Sequence, residues 1–126
     1  MNGFNRIFIL GRLGSEPQIQ TSRGGHQFTK LSVATNRTQN DEDGEKKETT
    51  DWYTINAWGR QGELCARYLS KGQGVMVEGY LSTFQVARED GKNEGKIAIN
   101  ALKVEFLPKP MGATVTTEIV PIETMQ

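Results

Sequence analysis

The sequence predicts an all-β domain in which five strands close into a small, strongly bent barrel, with one short helix between the third and fourth strands. Segments rich in β-branched and aromatic residues recur along the chain, and glycine-containing or polar stretches separate them as turns separate strands. Residues 61–69 carry the apolar spacing of a helix instead. Three predicted strands precede this helix and two follow it.

The first two strands are predicted over residues 5–13 and 27–36. The first, NRIFILGRL, is rich in β-branched and aromatic side chains, and Gly11 near its end indicates a bend or a bulge. The second alternates apolar with polar or small residues, which indicates a half-buried strand. Its apolar positions are Phe28, Leu31 and Val33.

A polar, acidic segment follows the second strand. Residues 37–50 contain the turn-forming dipeptide Asp43-Gly44 and predict either a long exposed loop or the tip of a hairpin. The whole chain is neutral, with 15 basic and 15 acidic residues. Residues 41–51 hold six carboxylates against Lys46 and Lys47, which leaves a net charge of +4 on the remainder. A neutral protein can therefore carry a basic face.

The third strand, residues 51–60, contains both tryptophans of the protein. Alternation predicts a core face and an opposite, largely polar face. The core face is Tyr53, Ile55 and Ala57, and the opposite face is Trp52, Thr54, Asn56 and Trp58. Two flat aromatic rings on a polar face, followed by Arg60, have the chemistry of a platform for stacking nucleobases. The rings could equally close a core or a subunit contact, since aromatic side chains bury large areas wherever they lie.

The last elements are the helix and two strands. The helix places Leu64, Cys65 and Tyr68 along one side and ends before Gly72, with Cys65 as a small buried residue. The strands cover residues 74–88 and 96–107, with a turn between them. This order of elements favours an OB-fold, a five-stranded Greek-key barrel, over an SH3-like or other five-stranded barrel.

Length and composition predict one domain over residues 1–107 and a short C-terminal tail over 108–126. A chain of 126 residues, 36% hydrophobic and 24% charged, is ordinary for a soluble globular protein. We expect a cytosolic protein without a membrane partner, because no apolar run approaches the length of a bilayer span and the single cysteine has no internal disulfide partner.

The residues that most catalytic and metal sites need are scarce. His26 is the only histidine, so a histidine-based zinc site or a Ser-His-Asp triad cannot be assembled within the chain. Residues 72–74, Gly-Gln-Gly, precede a strand and lack the later glycine of a dinucleotide-binding turn. The sequence therefore predicts a binding protein with no metal or cofactor, and not an enzyme.

Several phrases in a fixed order resemble bacterial single-stranded DNA-binding proteins over residues 4–107. They are NRIFILGRLG followed by EP, then LSVATN, then TDWY continuing to WGR, and finally YLSKG leading to VEGYL. The resemblance implies an OB-fold, usually assembled as a homotetramer, that wraps single-stranded DNA during replication, recombination and repair. It also implies a cytoplasmic, nucleoid-associated protein in a bacterium.

The resemblance assigns roles to particular residues. Trp52 and Trp58 fall where the family places base-stacking aromatic residues, and Arg6, Arg60 and Lys71 fall at basic positions along the DNA path. Two further aromatic positions of the family hold Gln39 and Val86 here. Phe84 lies on the same face as Val86. We expect it either to stack a base instead of the aromatic residue that the family has at position 86, or to contact a partner protein at the base of the hairpin. Charge and position alone add four candidate phosphate contacts: Arg12, Lys30, Arg37 and Arg88.

The C-terminal end departs from the family. Its members usually continue through a flexible linker to an acidic tip that recruits other proteins, whereas Thr124-Met125-Gln126 carries no acidic residue. We expect either a truncated chain or a tailless branch, without recruitment through such a tip. The alternative function is an OB-fold module for protein interaction or primosome scaffolding, with incidental nucleic-acid binding.

Overall fold

A computed structural model describes residues 1–108 of the protein. This part of the chain forms six strands and one helix. They are β1 (Ile7–Leu13), β2 (Gln18–Thr21), β3 (Gln27–Asn40), β4 (Lys46–Trp58), α1 (Gly59–Tyr68), β5 (Gly74–Ala87) and β6 (Asn93–Phe106). The helix begins directly after Trp58, so no loop separates the end of β4 from the start of α1.

The strands close into a barrel in the order β1-β5-β6-β4-β3, with β2 added beside β3. Two short contacts complete the closure. β1 crosses from β5 to pair with β3 at Arg12 and Leu13, and β4 pairs in parallel with β6 through Ile55 and Asn56. Five barrel strands with one helix between β4 and β5 confirm the predicted OB-fold.

The core lies inside the barrel, because alternate residues of each strand point inward. Ile55 and Ala57 are fully buried and Tyr53 packs against the core, so the predicted core face of the third strand is confirmed. Residues from every barrel strand and from the helix complete this core. They are Ile9, Leu13, Leu31, Val33, Cys65, Leu69, Val75, Val77 and Ile99.

In the first half of the chain the structure adds a strand that the sequence did not predict, and it decides the form of the polar segment. Strand β2 was not predicted, because it is an edge strand paired only with β3 and its exposed positions carry no apolar alternation. The polar segment 37–50 is a hairpin, the second of the two predicted alternatives, since β3 and β4 stay paired up to Asn40 and Lys46. Asp41 holds the turn by accepting the backbone N–H groups of Asp43 and Glu45 at 3.0 and 2.8 Å.

Gly11 does not mark a bulge. The β1–β5 ladder runs through it in continuous register, and the irregularity of the sheet lies between Glu78 and Gly79 instead. A Cβ atom at position 11 would collide with the Ala34 carbonyl oxygen. Gly11 therefore allows β1 to pass close to β3 where the barrel closes.

The predicted C-terminal tail lies, from residue 109 onward, outside the residues that the structure describes. Within residues 1–108, no helix is both long and apolar enough to cross a membrane.

Burial of Cys65 predicts a measurable pH dependence of stability. Burial raises the pKa of the Cys65 thiol from 9.0 to about 11. Between these values the unfolded chain releases the proton and the folded protein keeps it, so stability is lost as pH rises through this range. We expect the free energy of unfolding to fall by about 2–3 kcal/mol between pH 8 and 11. Urea titrations of the protein and of Cys65→Ala separate this loss from that of other groups; equal losses would contradict the prediction.

Candidate nucleic-acid interface

Both tryptophans lie on the outer face of β4, as the alternation of side chains along the strand predicts. Trp52 is 60% exposed and Trp58 is 38% exposed. They are six residues apart on one strand, so their Cα atoms are about 20 Å apart. Between them the same face carries Thr54 and Asn56. The two rings therefore form separate platforms on one wet surface.

Trp58 is held from two directions. Phe28 lies directly opposite on β3 and packs against it, with ring centroids 4.5 Å apart and planes inclined by 33°. The indole N–H donates a hydrogen bond of 3.0 Å to Oδ1 of Asn100 on β6. A cleft of about 280 Å³ opens beside this pair, with Ile19 and Glu63 in its lining. Trp58 thus presents a partly exposed ring in a fixed orientation.

Trp52 lies at the other end of the surface, against the loop after β1. Its partner on β3 is the small Ala34, and its six-membered ring covers Gly14 so closely that a Cβ atom there would overlap the ring. Trp52 therefore rests on backbone on one side while most of its side chain faces solvent.

Phe84 joins the same surface through the neighbouring strands. Asn100 lies beside Asn56 in the parallel pairing and opposite Tyr80 on β5, and its Nδ2 donates a 2.7 Å hydrogen bond to Oγ of Ser82. Phe84, two residues beyond Ser82, shares its face and is 45% exposed. The outer face thus runs from β4 across β6 to the aromatic ring on β5.

Two of the candidate cations lie on this surface between and beside the tryptophans. Lys30 on β3 is opposite Asn56, between the two rings and nearer to Trp58, and forms no ion pair with any residue in 1–108. Arg12 on β1 is opposite Ala34, which is in turn opposite Trp52, so the three share one row across the strands. The register of the strand pairs therefore places Lys30 and Arg12 beside the aromatic rings. The positions of charged residues in the sequence do not predict this placement.

Arg60 and Lys71 flank the two ends of the surface. Arg60 lies in the first turn of α1, two residues after Trp58, and pairs with Glu63 at 3.3 Å. Lys71 lies in the turn after the helix, where its backbone N–H donates to Glu16 and the neighbouring Gly72 carbonyl accepts a long bond from Arg12. Arg60 thus follows Trp58 closely in the chain, and the Lys71 backbone lies beside the loop after β1 on which Trp52 rests.

The remaining candidate cations are not brought to the tryptophans. Arg37 lies on the opposite side of the β3–β4 hairpin, with Asp51 as its ion-pair partner at 2.7 Å. The hydrogen bond to Asp51 and the attraction of its charge raise the pKa of Arg37. Arg6 pairs with Glu78 on β5, and Arg88 pairs with Asp90 at the tip of the β5–β6 hairpin.

Sequence reasoning missed two residues of this surface. Phe28 counted among the apolar positions of its strand, but its outward neighbour is Trp58, and Thr29 fills the inward position with its hydroxyl donating to the Gly62 carbonyl. Phe28 is an odd number of positions away from Leu31 and Val33, so alternation along the strand predicts that it lies on the opposite face. Asn100 had no such signal, because only the parallel β4–β6 pairing brings it to Trp58.

No group of three potential metal-ligating side chains lies close enough together to hold an ion within the described residues 1–108. His26 lies at the cleft beside Trp58 with Glu63, not in a cluster of carboxylates or thiols. The chemistry that the surface offers is stacking on exposed rings, hydrogen bonding by amides and hydroxyls, and attraction of anions by a few cations.

An OB-fold whose outer face carries spaced aromatic rings, with cations between and beside them, has the surface chemistry that is typical of oligonucleotide-binding OB domains. The model of the single-strand binding protein family matches residues 4–107. The chain belongs to the single-strand binding protein family.

Curated relatives and solved structures agree with this membership. The single-stranded DNA-binding protein of Xylella fastidiosa is 31% identical over 105 residues, covering 83% of this chain and 64% of that protein. The protein of the same name from Neisseria meningitidis serogroup A is 33% identical over 103 residues, covering 82% and 59%. The chain thus spans about three fifths of the length of these relatives.

Among solved structures, a Plasmodium falciparum SSB complex with ssDNA is 30% identical, with a TM-score of 0.72, and the match covers 86% of this chain and 98% of that chain. A deletion mutant of the single-stranded DNA binding protein from Thermus aquaticus is 28% identical, with a TM-score of 0.73, covering 84% and 51%. The likeness therefore extends over the whole barrel.

Proposed function

We propose that this protein binds single-stranded DNA without regard to sequence and protects it during replication, recombination and repair. The observation that carries the proposal is the continuous outer face of β3, β4, β6 and β5. Three exposed aromatic rings on this face surround polar side chains and Lys30, which no carboxylate of the described residues 1–108 pairs with. Family membership and the ligand named for the Plasmodium structure support it. The protein acts by binding and not as an enzyme.

In this proposal, bases stack on Trp52, Trp58 and Phe84, while cations on this face and beyond it neutralise phosphates along the bound strand. The proposed phosphate contacts are Arg6, Arg12, Lys30, Arg37, Arg60, Lys71 and Arg88. Stacking uses the flat face that every base has, so it tolerates any sequence. Duplex DNA hides these faces inside its base pairs and competes poorly.

The distance between the tryptophans determines how the strand is bound. Since about 20 Å separates Trp52 from Trp58, each ring takes a different nucleotide of one path. We assign the protein to a homotetramer, in which other subunits extend this path. The outer side of β1 and β5 supports self-association, because Phe8 is 61% exposed there beside Leu10 and Met76. The bacterial relatives named as single-stranded DNA-binding proteins support a cytoplasmic, nucleoid-associated location.

Tryptophan emission provides the test of this function. We expect an oligo-dT strand to quench the emission strongly and to saturate it, and a duplex of equal length to compete only weakly. The logarithm of the affinity should fall with the logarithm of salt concentration by about 0.7 for each phosphate neutralised. An emission spectrum unchanged by oligo-dT at low salt would overturn the proposal and leave the protein-interaction module as the alternative.

Removal of the carboxylate that pairs with Arg60 is expected to raise the affinity for oligo-dT. Glu63 occupies Arg60 at 3.3 Å beside Trp58, so a phosphate must compete with it for the same guanidinium. Both side chains are exposed, and such pairs are weak. We expect Glu63→Gln to strengthen oligo-dT binding about twofold to fivefold at low salt.

A matched control separates local competition from a change of net charge. Glu42→Gln removes the same charge from the exposed turn between β3 and β4, at the far end of that hairpin from both tryptophans. Competition at Arg60 predicts a larger gain for Glu63→Gln than for Glu42→Gln. Equal gains would show that only overall charge matters.

A further inference from the structure

A buried amide links Trp58 to the neighbouring strands. Oδ1 of Asn100 accepts the indole N–H of Trp58 at 3.0 Å, and Nδ2 of Asn100 donates to the Ser82 hydroxyl at 2.7 Å. Asn100 is only 8% exposed, whereas Trp58 is 38% exposed. The amide thus uses both of its ends inside the sheet and has little surface for a ligand.

These contacts limit how the indole can move. Phe28 packs against the ring, and the hydrogen bond to Asn100 fixes the rotation that Phe28 alone would leave free. A side chain already held in its binding orientation loses less conformational entropy when a base stacks on it. The indole N–H can only donate, so it requires Oδ1 of Asn100 to face Trp58, and the Ser82 hydroxyl adds to this order by accepting from the opposite end of the amide.

We propose that Asn100 is a positioning residue for base stacking: it contacts no nucleotide and holds the Trp58 ring in the orientation that a base requires. The inference rests on the proposed binding of single-stranded DNA. Asn100 lies at the parallel β4–β6 contact that closes the barrel, beside Asn56. The strand closure and the orientation of the platform therefore depend on one another through this residue.

A purely structural role for Asn100 makes a different prediction, and a double-mutant cycle separates the two. The four proteins are the wild type, Asn100→Leu, Trp58→Phe and the double variant. Phenylalanine keeps a stacking face but has no N–H to donate, so Asn100 has nothing to orient in that background. We expect Asn100→Leu to weaken oligo-dT binding about threefold to tenfold when Trp58 is present. The loss should be less than about twofold when position 58 is phenylalanine.

A spectroscopic measurement reports the orientation without any DNA. Trp52→Phe leaves Trp58 as the only tryptophan, and its fluorescence anisotropy decay then measures the motion of that ring. Asn100→Leu in this background should add a fast local component and shift the emission maximum. Ser82→Ala should produce the same changes to a smaller extent, and it tests the proposal without touching the β4–β6 closure if Asn100→Leu proves poorly folded.

The outcomes distinguish this inference from the proposed function. Failure of the wild-type protein to bind oligo-dT overturns the proposed function. Normal wild-type binding with equal losses from Asn100→Leu in both backgrounds overturns the positioning role and leaves Asn100 as a structural residue. Unchanged anisotropy in both Asn100→Leu and Ser82→Ala likewise overturns it.

Discussion

Replacing Trp52 with alanine is expected to weaken oligo-dT binding about tenfold or more, since each base stacked on an aromatic side chain contributes about 1–3 kcal/mol. Trp52 is the most exposed ring of the proposed platform, at 60%, and its neighbour on β3 is only Ala34. The barrel core does not depend on it. Its loss should therefore reduce affinity with little change in the free energy of unfolding.

Fluorescence of Trp58, which remains in this variant, or anisotropy of a labelled oligo-dT measures the loss. Trp52→Tyr is the matched control, because it keeps a flat ring at the same position and should lose less than about threefold. The loss should be alike for oligonucleotides of different sequence. An alanine variant that binds as tightly as the tyrosine variant would show that Trp52 takes no base.

The architecture was readable from the sequence because each barrel strand has one face in the core. Ile55 and Ala57 alternate with outward residues on β4, and Val75 and Val77 do so on β5, so both their strand and their face followed from period two. Strand β2 could not be found in this way. It adds to the edge of β3 and buries almost nothing, so its structure depends on backbone pairing and not on a side-chain pattern.

The site was predictable only as far as a single strand determines it. Trp52 and Trp58 share a face by alternation, and Phe84 was placed by the same rule on its own strand. The grouping of these rings with Lys30 depends on how β3 pairs with β4, and the link to Asn100 depends on a parallel pairing of two residues. Such pairings join residues far apart in sequence, so local patterns do not contain them.

Charge was the least informative signal. Arg37 and Lys30 look equivalent in the sequence, yet Arg37 lies on the other side of the hairpin and is held by Asp51. Three further candidate cations form ion pairs of their own. Arg6 pairs with Glu78, Arg60 with Glu63 and Arg88 with Asp90. Folding brings together or orients the two residues of each ion pair, so the pairs cannot be read from the sequence. A count of basic residues therefore overestimates how many are free to contact a phosphate.

Gly62→Ala is expected to destabilise the protein by about 2–3 kcal/mol, although alanine is the better helix former by about 1 kcal/mol. Gly62 lies in α1 where the helix packs on the end of β4. A Cβ atom there would overlap the Ala57 carbonyl oxygen and come within 3.2 Å of the Thr29 hydroxyl. That hydroxyl donates to the Gly62 carbonyl at 2.7 Å, so the helix would have to move away from a buried hydrogen bond.

Urea unfolding of the variant measures this loss, and Gly95→Ala is its control. A Cβ atom at position 95 in β6 would meet only the Gln85 side chain, at 3.5 Å, so this second variant should stay within about 0.5 kcal/mol of the wild type. Because α1 begins directly after Trp58, a displaced helix should also disturb the ring and the adjacent Arg60. The folded fraction of Gly62→Ala should therefore bind oligo-dT more weakly than Gly95→Ala. A Gly62→Ala protein as stable as the wild type would show that the helix can move away from β4 without cost. Equal binding by the two variants would show that the close contact of the helix with β4 does not position Trp58.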